Sequence, residues 1–367
     1  MSSSALKEAE RVMTICNACR YCEGFCAVFP AMELRRTFTG QDLKYFANLC
    51  HNCRGCYYAC QYAPPHAFDL NVPRVLGELR LETYREFSWP SALKGLFHNN
   101  GLIVPLIVAL SVATVMLLTL LATGHAAFFG IHTGVGSFYR VVPYTAMVLP
   151  FSALGVYVLF SLWKGVANLW RETGGEPLGL RDLRAHAQAV WDVLRLRYLE
   201  GGGDGCNYPD ERFSMVRRYF HHAVFYGFML CLASTTVAFF YDHALSRPAP
   251  YPFWSWPVVL GTVGGLALLA GTGGMLGLKR HMDRVPAAAD GFGMDIAFTT
   301  LLLVTSLTGL LLLALRETAA MGSLLAIHLG CVLALFVTMP YGKFIHAVFR
   351  YAALVRHAIE QAKAKQP

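Results

Sequence analysis

From residue 101 onward, apolar residues gather into six long blocks: Gly101 to Thr123, Val141 to Trp163, Tyr219 to Tyr241, Ser255 to Gly277, Gly293 to Leu315 and Gly322 to Tyr341. Each holds about 20 residues, enough for a helix to cross a hydrocarbon core of ~30 Å. The pattern predicts six transmembrane helices at about 101–123, 141–163, 219–243, 255–277, 293–315 and 322–348. The third and sixth are extended because His243 and His346 sit just past the apolar limits, where a helix emerges into the interface. The remaining chain divides into a mixed polar head over 1–90, a connection over 164–218 and a basic tail over 351–367, with the membrane domain spanning 91–350. Within the connection, Leu180, Leu183, Ala187, Val190, Leu194 and Tyr198 recur at helical spacing among Arg181, Arg184, Asp192 and Arg195. That stretch predicts an amphipathic helix, lying either on the membrane surface or against a partner.

A chain with 55% hydrophobic and 15% charged residues is not an ordinary soluble enzyme. Lysine and arginine are unevenly placed: eleven precede the first span, nine lie in 164–218, three surround Lys279 to Arg284 and five follow from Lys343. The other loops hold Arg140, Arg247 and Arg316, one each. Because positive segments resist translocation, both termini are expected in the cytoplasm. The net charge of +8 then reports topology, and without a basic motif among aromatics no nucleic-acid role is expected.

The head carries two copies of C-x2-C-x2-C-x3-C, Cys16, Cys19, Cys22, Cys26 and Cys50, Cys53, Cys56, Cys60. In two-cluster ferredoxins three thiolates of each run wrap one 4Fe–4S cluster and the fourth ligates the other. The first cluster is therefore expected on Cys16, Cys19, Cys22 and Cys60, and the second on Cys50, Cys53, Cys56 and Cys26. Zinc would use separated pairs in a tetrahedron. Disulfides would need an oxidising compartment, and residues 1 to 40 show no secretory signal. Ala27 and Gln61 stand where such motifs place proline, with Pro30 and Pro64 further on. Cys206, Cys231 and Cys331 read as loop or core residues.

Ionisable residues within membrane helices usually have a ligand or partner. His328 and His346 are 18 residues apart, five turns on one face of a straight helix and about 27 Å along it. His222 and His243 are 21 apart on a helix running the other way. His222 and His346 would then meet near the inner surface, and His243 and His328 near the outer one. Two bis-histidine sites of this kind suit one or two b-type haems. His221 adjoins His222 and is the alternative inner ligand. His98, His125, His132 and His281 lack such partners and read as interfacial or loop residues.

Five strings carry a family resemblance: CNACRYCEGFCAVFPAME from Cys16, CHNCRGCYYACQYAPPH from Cys50, GGGDGCNYP from Gly201, RRYFHHAVFYGF from Arg217 and MPYGKF from Met339. Together they resemble the tricarballylate-utilisation protein B family (TcuB or CitB), and the likeness covers nearly the whole chain. The histidine-bearing helices are more distantly similar to the haem-binding subunits of respiratory nitrate and heterodisulfide reductases. The resemblance implies a partner: a separate flavoprotein dehydrogenates tricarballylate, and the B protein reoxidises its FAD. Electrons would pass through two 4Fe–4S clusters and haem to the quinone pool of the bacterial inner membrane.

The expected fold is thus mainly α, a two-cluster ferredoxin-like head followed by a six-helix transmembrane haem-binding bundle. No segment outside the membrane is long enough for a flavin domain. The glycines of Gly261 to Gly277 lie in an apolar run without a preceding strand, which points to close helix packing and not to a nucleotide fingerprint. No nucleophile–base pair or phosphate loop is present, so catalytic side chains are not expected and the chemistry would be the cofactors'. Three readings stay open: a subunit serving the tricarballylate type of dehydrogenase, one serving another flavoprotein, for example in cofactor biosynthesis, and a membrane redox sensor or transporter with a cluster domain.

Overall fold

The computed structural model describes residues 3–97, 99–175 and 181–365; His98 and Leu180 lie outside them. The head is built of α1 (Ser4–Cys19), α2 (Val28–Glu33), α3 (Gly40–Leu49), α4 (Gly55–Tyr58) and α5 (Val72–Phe87). The Ser3 hydroxyl starts α1 by accepting the Leu6 amide, and it donates to Glu82 of α5, 2.7 Å away. Ala9, Val12 and Met13 form the buried stripe of α1 at helical spacing. A reciprocal Thr39 and Asp42 capping box starts α3, and the Asn71 side chain accepts the Arg74 amide at the start of α5. These caps fix five short helices around Phe29, Phe46, Leu49, Leu76 and Tyr84, all buried.

Beyond the head come α6 (Asn100–Phe128), the short α7 (Ser137–Val141), α8 (Tyr144–Glu172), α9 (Leu183–Arg195), a hairpin of β1 (Cys206–Asn207) and β2 (Phe213–Ser214), then α10 (Val216–Leu245), α11 (Trp256–Arg280), α12 (Phe292–Leu315), α13 (Met321–Thr338) and α14 (Ile345–Ala364). Among the described residues six helices are long and apolar enough to cross a membrane: α6, α8, α10, α11, α12 with its leading turn, and α13. Helices α10 and α11 approach closely because glycine removes side chains at their contact. A Cβ on Gly271 would stand 2.7 Å from the Val224 amide nitrogen, and one on Gly264 2.8 Å from the Gly227 carbonyl.

The expected sixth helix over 322–348 is not continuous. Helix α13 ends at Thr338, a 3-10 turn covers Met339–Tyr341, Gly342 is extended, and α14 starts afresh at Ile345. Pro340 has no amide to donate and its ring collides with the carbonyl one turn back, so the helix stops there. The freed Tyr341 carbonyl accepts the Asn100 side-chain amide at 2.8 Å. His328 and His346 therefore lie on different helices, and the single-face, five-turn relation expected between them does not hold.

The basic tail expected over 351–367 is largely helical. Helix α14 runs through that boundary, with Phe349, Ala352, Ala353, Leu354, Val355 and His357 buried. Phe349 meets Tyr84 of the head edge-on at 5.7 Å. Burying residues of the size of Phe349 and Leu354 contributes about 2 kcal/mol each. Arg35 bonds both Asp42 and Glu360 at 2.5 Å, and Arg356 bonds Glu360 at 2.9 Å, in a partly buried network joining α3 to α14. The C-terminal helix thus clamps the head onto the bundle.

Helix α9 has two faces. Ala185, Ala189 and Asp192 are buried, while Leu183, Ala187, Val190 and Trp191 are exposed. Its last carbonyls, Leu194 and Arg195, accept the Tyr226 hydroxyl and the Arg218 guanidinium of α10, so α9 lies along the first turns of that span.

Candidate electron-transfer site

The cysteine loops are shaped by backbone reversals between ligands. Helix α1 ends as Arg20 turns into the left-handed region at φ 57°, and in the second loop Asn52 and Arg54 do the same at 54° and 69°. One cavity of about 230 Å3 has Cys16, Cys19, Cys22 and Cys60 in its wall, with Cys56, Phe29 and Tyr62 beside them. Cys19 is exposed at its rim and Tyr21 next to it is 71% exposed, so this site opens to the surface. The second set is deeper: Cys50, Cys53 and Cys56 are buried.

Thiol chemistry follows the same grouping. Burial first, and then the neighbouring Cys22, Cys60 and Cys19, push the Cys16 thiol up to about 12. Cys22 reaches about 12 through burial and the neighbours Cys60 and Cys19. Cys26 is raised well above the usual thiol range by burial and by Cys53 and Cys50, partners from the other motif. Crowded, desolvated thiols ionise only when cations join them, so the donor set fits iron that would replace the protons. Among the described residues no three His, Cys, Asp or Glu side chains converge on a single-ion site. A four-iron cubane is larger than one ion and spreads its ligand sulfurs further apart.

Parts of the chain remote in sequence hold the second loop. The Cys50 carbonyl accepts Arg80 at 2.6 Å and Arg350 at 2.9 Å, and the Asn52 carbonyl accepts Arg217 at 2.6 Å. The Arg54 guanidinium donates to the Asp283 carbonyl at 2.9 Å. The loop Gly201 to Gly205 delivers the hairpin to this place. Its glycines at 201, 202, 203 and 205 have positive φ, and a Cβ on Gly205 would stand 2.5 Å from the Ser214 carbonyl oxygen. The Asn207 amide then donates to the Cys53 carbonyl at 3.0 Å, and the Tyr208 ring lies 4.6 Å from Arg54 and 4.8 Å from Arg217. Cys206 is fully buried and its thiol donates to the Leu199 carbonyl.

One helical turn further, the histidines come together. The rings of His221 and His346 are neighbours, with centroids 6.4 Å apart and planes at 80° to each other. Two metal–nitrogen bonds of about 2 Å, with about 1 Å from each nitrogen to its ring centre, would separate the rings by about 6 Å. The Lys343 carbonyl accepts from His346 Nδ1, which leaves Nε2 as the nitrogen free to bind a metal. His222 turns away to pack on Tyr226 at 5.7 Å, so of the two adjacent candidates it is His221 that faces His346. The outer pairing does not form. His243 is exposed, stacked on Phe239 and 2.8 Å from the Tyr144 hydroxyl, whereas His328 faces Thr308 of α12 at 3.1 Å. The expected meeting relied on one straight helix carrying both His328 and His346.

Sequence reading missed the arginines. Arg217 precedes His221 by four residues and Arg350 follows His346 by four, a spacing that puts each pair on one helix face. That spacing was the available signal.

A cysteine-rich ferredoxin-type head clamped to six membrane-length helices defines a multi-pass membrane protein with an iron–sulfur type of domain. A family model described as Citrate utilization protein B matches residues 97–367, and one described as Citrate utilization protein B Fer4-like domain matches residues 9–86. The Citrate utilization protein B of Escherichia coli is 47% identical over 361 residues, 98% of this chain and 93% of that protein. The chain belongs to the citrate utilization protein B family. No solved structure matches it.

Proposed function

We propose that this chain is the membrane electron-transfer subunit of a flavoprotein dehydrogenase of the tricarballylate type, reoxidising its FAD and passing the electrons to quinone. One observation carries the reading. The two helices that bring the His221 and His346 rings to 6.4 Å also reach the second cysteine loop, one turn away, through Arg217 and Arg350. Metal sites on the buried thiols and on the two imidazoles would then be neighbours.

Cys16, Cys19, Cys22 and Cys60 would hold one 4Fe–4S cluster, and Cys50, Cys53, Cys56 and Cys26 the other. His221 and His346 would be the axial ligands of a b-type haem. When bound, these groups supply one-electron chemistry that the side chains lack. The chain's own residues set the conditions. Cys19 and Tyr21 leave the first site open to a soluble partner, while Leu196, Leu199 and Tyr208 pack beside Cys53 and keep water from the second. The Lys343 carbonyl orients His346. The head, α14 and the lysine- and arginine-rich segments belong to the inner side, so both termini face the cytoplasm of a bacterial inner membrane. The family, named for citrate utilisation, supports a partner that acts on a tricarboxylate.

The test is anaerobic purification in detergent with iron and haem measured on one sample. About eight non-haem irons and one b-type haem are expected per chain. His221→Ala and His346→Ala should lose the haem and keep the iron, while His222→Ala keeps both. Iron without haem in the native protein would contradict the reading, as would haem loss in His222→Ala alone.

A further inference from the structure

Among the described residues, buried and half-buried cationic side chains gather around one of the two cysteine loops and not the other. Arg80 and Arg350 both donate to the Cys50 carbonyl, Arg217 donates to that of Asn52, and Arg54 lies within the loop. Arg54 and Arg80 are buried, 2% and 7% exposed. Among the described residues none of the four has a carboxylate within ion-pair distance. Of the nearby acids, Asp295 is bound by Lys279 at 2.5 Å and Lys343 at 2.6 Å, while Asp283 accepts the Tyr58 hydroxyl at 2.7 Å and acts on Arg54 only from beyond ion-pair distance. The first loop differs. Its own cation, Arg20, is exposed and bonds the Asn17 carbonyl, with the exposed Glu23 close by in the chain.

We propose that Arg54, Arg80, Arg217 and Arg350 are positioning residues that give the second cluster a higher reduction potential than the first, driving electrons inward from the exposed Cys19 end toward His221 and His346. The proposal rests on the ligand assignment made under Proposed function. Buried charge without a counter-charge is costly, so the buried Arg54 and Arg80, with the half-buried Arg217 and Arg350 beside them, imply an anion in their midst. Holding a loop carbonyl alone would need only neutral donors. A cluster bound by four thiolates is that anion, and it gains one further negative charge on reduction. Cluster potentials respond to local charge and to solvent exposure, and the buried cations favour the more negative, reduced state. In the transfer one electron leaves the first cluster and enters the second; no bond forms or breaks and no proton moves.

The test uses the full chain in detergent, with iron content measured first and then a redox titration followed by electron paramagnetic resonance. Arg80→Gln and Arg350→Gln should each lower the midpoint of the higher-potential cluster by at least tenfold in its reduced-to-oxidised ratio, about 59 mV for one electron. Arg350→Lys should restore most of that shift, and Arg11→Gln, a surface pair with Glu8, should move neither cluster. Each single variant leaves one guanidinium on the Cys50 carbonyl. If iron nevertheless falls, Arg217→Gln, which touches a different carbonyl, is read in its place. Unmoved cluster midpoints at full iron content overturn the proposal, as does a shift confined to the lower-potential cluster or to the haem. Native protein without about eight irons overturns instead the ligand reading beneath it.

Discussion

His357 on α14 is held down to about 4 by burial, against an ordinary value of 6.5. Because the folded chain favours its neutral form, the stability it contributes is complete above pH 6.5 and is lost as pH falls toward about 4. The linkage amounts to at most about 3 kcal/mol. His357→Phe should therefore narrow the loss of thermal stability between pH 7.5 and pH 5; parallel losses in native and variant protein would contradict this. At the same scale, the cysteine motifs were legible in the sequence because their chemistry is written in spacing alone. The inner histidine was not. Adjacent His221 and His222 point about 100° apart on a helix, and which of them looks inward depends on α9, whose end receives Tyr226 and Arg218 and packs the His222 side of α10.

Among the elements, hydropathy located the six spans because a membrane demands long apolar runs, whatever their neighbours. It failed where polar and apolar residues mix. Helix α14 carries Arg350, Arg356, Glu360 and Lys363, which make it resemble a solvated tail, yet its other face buries Phe349, Ala353 and Leu354. The break lies in MPYGKF, where Pro340 stops the helix and Gly342 is extended, while the hydropathy runs on without a gap. The reading of Gly261 to Gly277 as packing glycines agrees with the close contact of α10 and α11. Gly271→Ala should lower the thermal unfolding midpoint in detergent by the equivalent of about 1–3 kcal/mol, since the added carbon would stand 2.7 Å from the Val224 nitrogen and 2.8 Å from the Phe220 oxygen. An unchanged midpoint would mean that the two helices do not pack as closely as described.

For the whole molecule, the proposed relay rests on contacts between distant parts of the chain. The Cys50 carbonyl is held from position 80 and from position 350, and Cys53 from the hairpin at Asn207. No local pattern reveals such meetings, so the head, the connection and the last helix read as separate pieces in sequence and close into one unit only when folded. That closure puts the second cysteine loop beside the His221 and His346 pair, the central claim of the proposed relay. The most direct test is to reduce the purified protein with dithionite, remove the excess, mix it anaerobically with a water-soluble quinone and follow reoxidation of the clusters in native and His221→Ala protein. The relay predicts rapid reoxidation of clusters and haem together in native protein and cluster reoxidation at least tenfold slower in the variant. Equal cluster rates in the two proteins would show that electrons leave the head by a route that does not pass between His221 and His346.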